Sequence, residues 1–421
     1  GEIRYNDPCS YRRTALSDGL TIRYDAGSFT VASITSYQYS DDEMILDQDF
    51  LPLSYFTLRQ ARTEHSVTED LVFRSRGDKA YRWLLGAFGF YRHGTMNAPV
   101  HFKQTGIEEL ILKYANENDQ SYRYSWGLKD GTGGDELFLG SDFRMPSAGG
   151  ALYHESNYTL GRWRFTAGLR FDFEHARLRY RNHTDTRYTK TRIKDDAVYE
   201  LQLEIDDRST LKQTFTELLP KFSVMYSFDE TRNLYLTIAK GYKSGGFNTQ
   251  IFSDVLQQKM MNRMGIGEVY DVQRGVAYKP EYSWNYEVGF KSSWFNNRVN
   301  FNTSLFYIDL SDQQVTQVLP TANTVIRNAG KSRSMGFEVE ASALITEGLL
   351  FEGSFGYTDA KYRRYSDKVS GMDYAGNRTP LAPEYTYNLA LQYSLPLLES
   401  FDFFHKEDSL TWITRAELQG G

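Results

Sequence analysis

No segment of this sequence approaches the roughly 18 consecutive apolar residues that a membrane-crossing helix needs. The mean hydropathy of −0.55 is that of a polar chain. A helical membrane protein is excluded. Cysteine is almost missing: Cys9 stands alone among 421 residues, which excludes an intrachain disulfide and any cysteine-rich metal site. An excess of one charge is missing too. Lys and Arg number 48 against 54 Asp and Glu, and a net charge of −6 is too mild for a nucleic-acid binder. The seven histidines, His65, His93, His101, His154, His175, His183 and His405, contain no H-x-x-x-H pair, so a dedicated zinc site is not expected. His93 and His101 share one long connection between expected strands. No P-loop lysine follows "GTGGD" or "SAGG", which removes phosphate-loop chemistry. "GLKDGTGGDE", residues 127–136, lacks the D-x-[DN]-x-[DN]-G order of a calcium loop and reads as a flexible outer loop. No signal peptide opens the chain, but an exported protein would have lost it, so its absence decides nothing.

What the chain has in plenty is aromatic residues, at 15%: 31 Tyr, 27 Phe and 6 Trp. Tyr and Trp suit membrane–water boundaries, because one end of the side chain is apolar and the other polar. The apolar residues recur with a period of two. In "RWRFTAGLRFDFE", Trp163, Phe165, Ala167, Leu169, Phe171 and Phe173 fall on one face, and Arg164, Thr166, Gly168, Arg170, Asp172 and Glu174 on the other. "RVNFNTSLFYI", "GFEVEASAL" and "EYTYNLALQYSL" alternate in the same way. "YRWLLGAFGFYR" is less clean, with apolar residues on both faces.

About fourteen such strands are expected, over 19–25, 28–40, 64–76, 79–92, 148–160, 162–175, 215–228, 232–243, 282–295, 298–311, 333–346, 349–361, 384–396 and 409–419. Short turns are expected at Ala26-Gly27, Gly77-Asp78, Gly161, Asp229-Glu230-Thr231, Asn296-Asn297 and Glu347-Gly348. Long polar connections are expected over 41–63, 93–147, 176–214, 244–281, 312–332 and 362–383, with an intermediate link at 397–408. Alternating short and long connections are the signature of a transmembrane antiparallel β-barrel, with tight periplasmic turns and long extracellular loops. A soluble sandwich has no reason to gather every long loop at one end. Trp163, Trp284, Tyr286, Trp294, Tyr307 and Tyr357 fall near strand ends, where an aromatic girdle belongs. The fold class is therefore all-β, an outer-membrane barrel.

Single-chain bacterial barrels have an even number of strands and begin and end in the periplasm. The first expected strand here runs down and the last runs up. A closed barrel would need an odd number of further strands at each end, at least sixteen in all. The expectation is a partial barrel domain over 1–421.

The run "NLYLTIAKGYKSGGFN", Asn233 to Asn248, starts as a strand and breaks into a glycine-rich aromatic rim. This run resembles the A-x-G-Y-x-S-G-G-F-N segment of TonB-dependent outer-membrane receptors. "KPEYSWNYEVGFKSSWFNNRVNFNTSLFYIDLSDQQV", Lys279 to Val315, is similar to the family's P-E…N-Y-E-x-G-x-K hairpin, and "NAGKSRSMGFEVEASAL" and "GNRTPLAPEYTYNLALQYSL" to its next two blocks. Together they cover 215–396, while 20–176 fits more loosely. The resemblance implies a 22-stranded barrel filled by an N-terminal plug. It implies uptake of a scarce, bulky nutrient, most often a ferric siderophore, powered through the TonB complex. It also implies a Gram-negative outer membrane with its lipid as surroundings, no cofactor and no nucleic acid. Neither a TonB box nor a plug sequence is found among these residues, so the plug and the C-terminal strands are expected to lie outside this chain.

Two readings of "GYKSGGFN" stand. In one, Tyr242 and Phe247 stack on a ligand, Lys243 attracts an anionic chelate, and Asn248 adds a polar contact. In the other, Gly241, Gly245 and Gly246 supply a backbone that other residues resist, and Tyr242 anchors the rim. Arg164 and Arg170, with Asp172 and Glu174, line a solute path or fill a polar lumen. Alternatives to the receptor are a passive porin or structural barrel, and a barrel enzyme. For the enzyme, no Ser, His and acid residues cluster so as to single out a nucleophile. Ligand identity is open, with haem, cobalamin, nickel chelates and carbohydrates beside ferric siderophores.

Overall fold

The computed structural model describes residues 6–47, 52–118, 124–129, 136–265, 275–318, 324–328, 330–366, 371–402 and 407–420. Fourteen strands pair in chain order into one antiparallel sheet. They are β1 (Ser10–Asp25), β2 (Phe29–Asp47), β3 (Phe56–Ser75), β4 (Tyr81–Asn97), β5 (Glu136–Leu160), β6 (Trp163–Arg192), β7 (Ala197–Ser227), β8 (Arg232–Lys243), β9 (Glu281–Trp294), β10 (Val299–Ser311), β11 (Lys331–Thr346), β12 (Leu349–Arg364), β13 (Tyr385–Asp402) and β14 (Glu407–Gly420). Among the described residues, β1 and β14 are the ends of this path and do not pair with each other. No described helix is long and apolar enough to cross a membrane.

The short turns fall where the sequence puts them. Asn296 and Asn297 both take positive φ, 55° and 64°, a backbone that Asn tolerates in tight hairpins. Asp229 caps the next turn toward the N-terminus: it accepts 2.9 Å bonds from the backbone and the hydroxyl of Thr231, and it pairs with Arg232. Arg232 in turn lies 4.6 Å from the centre of the Trp294 ring, which fixes this aromatic beside the periplasmic turn.

The wall is inside out relative to a soluble protein. On β6, Leu169, Phe171 and Phe173 are 49%, 47% and 48% exposed, while the intervening Asp172 is only 9% exposed. The same outward apolar face carries Trp284, Tyr286 and Val288 on β9 and Leu389, Leu391 and Tyr393 on β13. Large apolar side chains on the outside, with charges turned inward, are stable only if the outside is lipid.

On β6 the pattern reverses just beyond Phe173. Leu178 and Tyr180 are buried at 0% and 6%, while Arg177, Arg179 and Arg181 point outward. This reversal marks the passage from lipid to water. The polar stretch 176–214 is therefore not a loop. β6 and β7 continue through it as a hairpin, in register from Trp163↔Tyr226 to Arg192↔Ala197. Its period of two persists, but the apolar face has changed sides, which is why it reads as polar and irregular in sequence. β4 and β5 likewise extend into the expected loop 93–147, to Asn97 and from Glu136.

The outer extensions and loops share a water-facing core of their own. Residues 104–118 form short helical turns, and a helix spans Phe252–Arg263. Ile111, Leu139, Leu256 and Met260 pack with Val100, Trp126 and Leu203. Leu178, Phe252, Val255 and Val276 form a second group. At about 1.5–3 kcal/mol for each fully buried large apolar side chain, this core ties the described outer segments to one another.

Candidate functional site

Arg170 is the centre of the lumen-facing polar cluster. Its guanidinium donates two bonds to Asp172, 2.7 and 2.8 Å, two residues along the same strand. It also lies 5.6 Å from the ring centre of Phe88 on β4 and 5.5 Å from that of Tyr153 on β5. The Tyr153 hydroxyl donates to Asp70 on β3 at 2.6 Å. Four strands thus aim one connected set of groups inward. An arginine held by a bidentate carboxylate and two rings has few remaining rotamers, so it presents a fixed positive face.

β7 and β8 are in register only up to Lys221↔Ala239. Above that point they part. Lys240 and Tyr282 reach Glu217 there: the ammonium is 3.3 Å from one carboxylate oxygen, and the phenol donates to the other at 2.6 Å. Tyr242 stands within electrostatic reach of Asp172, Glu174, Glu217 and Arg170. Ser244 lies beside Glu174. The structure therefore brings Tyr242 and Arg170, two of the residues singled out from sequence, into one neighbourhood.

The other candidates lie elsewhere. Arg164 sits six residues down β6 from Arg170, roughly 20 Å along the strand, beside the periplasmic turn, with its Nε buried and without a hydrogen-bond partner among the described residues. Lys243 is exposed at the rim, opposite Glu281 in register. Phe247 packs against the second outer core group. Asn248 is buried, and its carboxamide is engaged with the backbone of Ile326. His93 is not in a loop with His101: it lies on β4 opposite His65, while His101 stacks edge-on 5.2 Å from Phe138. Residues 130–135 of "GLKDGTGGDE" and His405 lie outside the described residues.

The glycines of "GYKSGGFN" have a steric reason. A methyl on Gly245 would sit 2.4 Å from the carbonyl oxygen of Tyr278, and one on Gly246 would sit 2.4 Å from its phenol oxygen. Gly246–Phe247 pairs with Ala277–Tyr278 as a short two-stranded bridge. Gln314 closes the same junction, donating to the Ser244 carbonyl at 2.8 Å and the Lys279 carbonyl at 3.1 Å. The motif is thus a knot that ties the end of β8 to two outer loops, with Tyr242 facing the polar cluster from its base.

Sequence reasoning missed Tyr153, Asp70, Glu217, Lys240 and Tyr282. Each lies within or beside an expected strand, but only cross-strand register shows that they converge.

The sequence pattern of the family described as TonB dependent receptor-like, beta-barrel, matches residues 3–419. Among curated proteins, the chain is similar to the metal-pseudopaline receptor of Pseudomonas aeruginosa, 24% identical over 211 residues, covering 50% of this chain and 24% of that protein. It is similar to the ferrioxamine receptor of Yersinia enterocolitica, 28% identical over 187 residues, covering 44% of this chain and 22% of that one. Among solved structures, the ferric yersiniabactin uptake receptor of Yersinia pestis superposes over 97% of this chain and 53% of its own, with a TM-score of 0.60 at 16% identity. The siderophore receptor of Acinetobacter baumannii does so over 97% and 58%, with a TM-score of 0.58 at 12% identity. At these identities the structural likeness speaks for the fold. The matched region is about a quarter of the length of these curated relatives and a little over half the length of the solved chains.

Proposed function

The chain belongs to the TonB-dependent receptor-like β-barrel family, and from that premise we propose that it forms the wall and outer loops of an outer-membrane receptor for a bulky metal chelate. A ferric siderophore is the ligand class that fits best. The fourteen strands are part of a larger barrel, 22-stranded by family resemblance, around a plug. Two sheet ends that stay unpaired among the described residues and the partial coverage of the relatives support that reading. Energy comes from the TonB complex across the periplasm.

The observation that carries the proposal is the polar cluster inside a lipid-exposed wall. Arg170 faces the lumen with Phe88 and Tyr153, and Lys240, Tyr242 and Tyr282 reach the same group of charges where β7 and β8 part, so that cations and aromatic faces meet beneath loops with a packed core. Cations and phenols suit a chelate that is anionic and partly aromatic. The inward path leads from this cluster down to Arg164. Lys243 at the rim is the first cation an arriving anionic chelate meets, while Phe247 and Asn248 shape the loop above it.

The test is uptake of radioactive iron as a panel of siderophores, in a Gram-negative strain lacking its own receptors and carrying the gene. Uptake of one member that depends on a functional TonB supports the proposal. Entry of small solutes that is independent of TonB, with no saturable siderophore uptake, would identify a passive pore instead.

A further inference from the structure

Two histidines face each other across the β3–β4 ladder. His65 on β3 is the direct register partner of His93 on β4. Both stand on the outward face of the wall, one row above Val67 and Tyr91, which are exposed to lipid. The next row up is Thr63 and Thr95. The histidines are thus the first polar row above the lipid-facing surface, where water reaches them and the lumen does not. On β2, the Tyr37 hydroxyl lies 2.9 Å from His65 Nδ1, and the Tyr39 ring packs with its centre 5.1 Å from that of His65. On β5, the register partner of His93 is Pro146, which has no polar side-chain atom to offer. His65 is exposed and His93 half-buried. Among the described residues, neither imidazole has an ion-pair partner, and that of His93 has no hydrogen-bond partner.

Directly opposite residues of a ladder hold their Cβ atoms about 4.5–5.5 Å apart. From that spacing two imidazoles can converge on one ion, with metal–nitrogen bonds of about 2.0–2.1 Å. Imidazole suits copper, nickel and zinc, whereas Ca²⁺ and Mg²⁺ want a shell of oxygens that this pair does not supply. Among the described residues, no group of three or more His, Cys, Asp or Glu is placed to hold a metal. Two nitrogens are therefore the protein's whole offer here, and water fills the remaining positions. That leaves out a closed tetrahedral zinc site and favours the ion that gains most from each nitrogen, which is Cu²⁺.

We propose that His65 and His93 chelate one divalent transition-metal ion on the outer rim of the wall, with Cu²⁺ held most tightly. The ion binds both Nε2 atoms. Binding there keeps the proton of His65 on Nδ1, where the Tyr37 oxygen accepts it, so Tyr37 orients the ring and fixes its tautomer. Tyr39 limits the rotation of the same ring. The ion sits outside the barrel, away from any transported ligand, so it is a resident of the wall and not cargo. Because the two nitrogens meet only in the folded ladder, the ion stabilises the barrel by mass action.

The test titrates the untagged receptor in detergent with Cu²⁺, Ni²⁺, Zn²⁺ and Ca²⁺, and counts the coordinating imidazole nitrogens by electron paramagnetic resonance of the Cu²⁺ form. The unmodified protein is expected to hold one Cu²⁺ through two imidazole nitrogens, more tightly than Ni²⁺ or Zn²⁺, and to ignore Ca²⁺. His65→Gln and His93→Gln should each weaken Cu²⁺ binding at least tenfold and leave one nitrogen in the spectrum. Tyr37→Phe keeps both nitrogens and should weaken binding about tenfold. His154→Gln, lower on the same wall, should change neither readout. If a glutamine variant fails to fold on a heat-modifiability gel, the nitrogen count of the unmodified protein and the Tyr37→Phe affinity still decide. A single imidazole nitrogen in the unmodified protein, or unchanged affinity in both glutamine variants, would overturn the proposal. So would equal binding of Ca²⁺, an equal loss in His154→Gln, or no Cu²⁺ binding at all, which would leave the two histidines as rim aromatics only.

Discussion

The carboxamide of Asn248 closes on both backbone polar groups of Ile326, 78 residues further along. It donates to the Ile326 carbonyl at 2.9 Å and accepts from the Ile326 amide at 2.8 Å. This is the pairing of a β-ladder made by a side chain, and it joins the loop after β8 to the hairpin above β10 and β11. Asn248→Ala should therefore cost about 1–3 kcal/mol of local stability, because a buried amide and carbonyl lose their partners. Hydrogen exchange is the readout. Amides over 324–328 and 276–278 should exchange tenfold or more faster while the barrel strands stay protected. Unchanged exchange with weakened ligand binding would instead make Asn248 a ligand contact.

Gly245 and Gly246 differ in how they meet Tyr278. An added methyl on Gly245 strikes backbone, whereas one on Gly246 strikes the ring, which can turn away. Gly245→Ala should thus be the more damaging, at about 1–3 kcal/mol for a forced backbone shift, and Gly246→Ala the milder. Limited proteolysis of the 249–281 loop measures this. Equal cleavage rates in the two variants would contradict the steric account.

The lumen cluster makes a different forecast. Arg170→Lys keeps a cation but cannot hold Asp172 in a fork or stack on Phe88 and Tyr153. Folding should survive, since β6 is held mainly by its ladders to β5 and β7. Saturable uptake of an anionic chelate should fall about tenfold, equivalent to roughly 1.4 kcal/mol. Uptake equal to the unmodified receptor would remove Arg170 from the ligand path.

Much of this architecture was legible in the sequence. The outward phenylalanines of "RWRFTAGLRFDFE" and the positive-φ asparagines of the 296–297 turn follow from period and turn chemistry alone. The outer half of the β6–β7 hairpin was not legible. Leu178, Tyr180, Leu203 and Ile205 alternate as regularly as Phe171 and Phe173, but face the other way, because water has replaced lipid outside. In "ARLRYRN", arginines at every second residue from 177 to 181 were a strand signal mistaken for loop polarity. The candidate site was half visible. Tyr242 and Arg170 stand out by type, whereas their partners Asp70, Tyr153 and Glu217 are ordinary residues until register brings them together.

On the hairpin's outward polar face, opposite His183 in register, Asp206 is bound by Arg208 and Arg181, and these two guanidinium groups hold its carboxyl far below the usual aspartate range. A carboxylate whose folded-state value is depressed stabilises the fold above its unfolded value, near 3.9. That contribution fades as pH falls through the lower folded-state value. The hairpin beyond residue 180 should thus keep its amide protection from pH 7 to about 4.5 and begin to lose it only below about 4. Molar salt should weaken it at any pH in that range, since the trio is exposed. Loss of protection between pH 7 and 5 would remove Asp206 as the group that governs the hairpin.

Glu69 provides the sharpest test of the lipid-facing surface. It lies on the outward face of β3 between Val67 and Leu71, beside Gly89 in register, where a carboxylate is out of place. Two hydroxyls from β2 supply what water cannot: Ser33 and Thr35 each donate to it at 2.6 Å. Bonds to a charged group are worth about 1.5–3 kcal/mol each, so Ser33→Ala with Thr35→Val should destabilise the barrel by several kcal/mol. In a Glu69→Leu background the same pair of changes should cost little, because no carboxylate remains to be satisfied. The double-mutant cycle, read from urea unfolding in lipid vesicles, should show a coupling of at least about 2 kcal/mol. Simple additivity would mean that Glu69 is solvated by something other than the two hydroxyls.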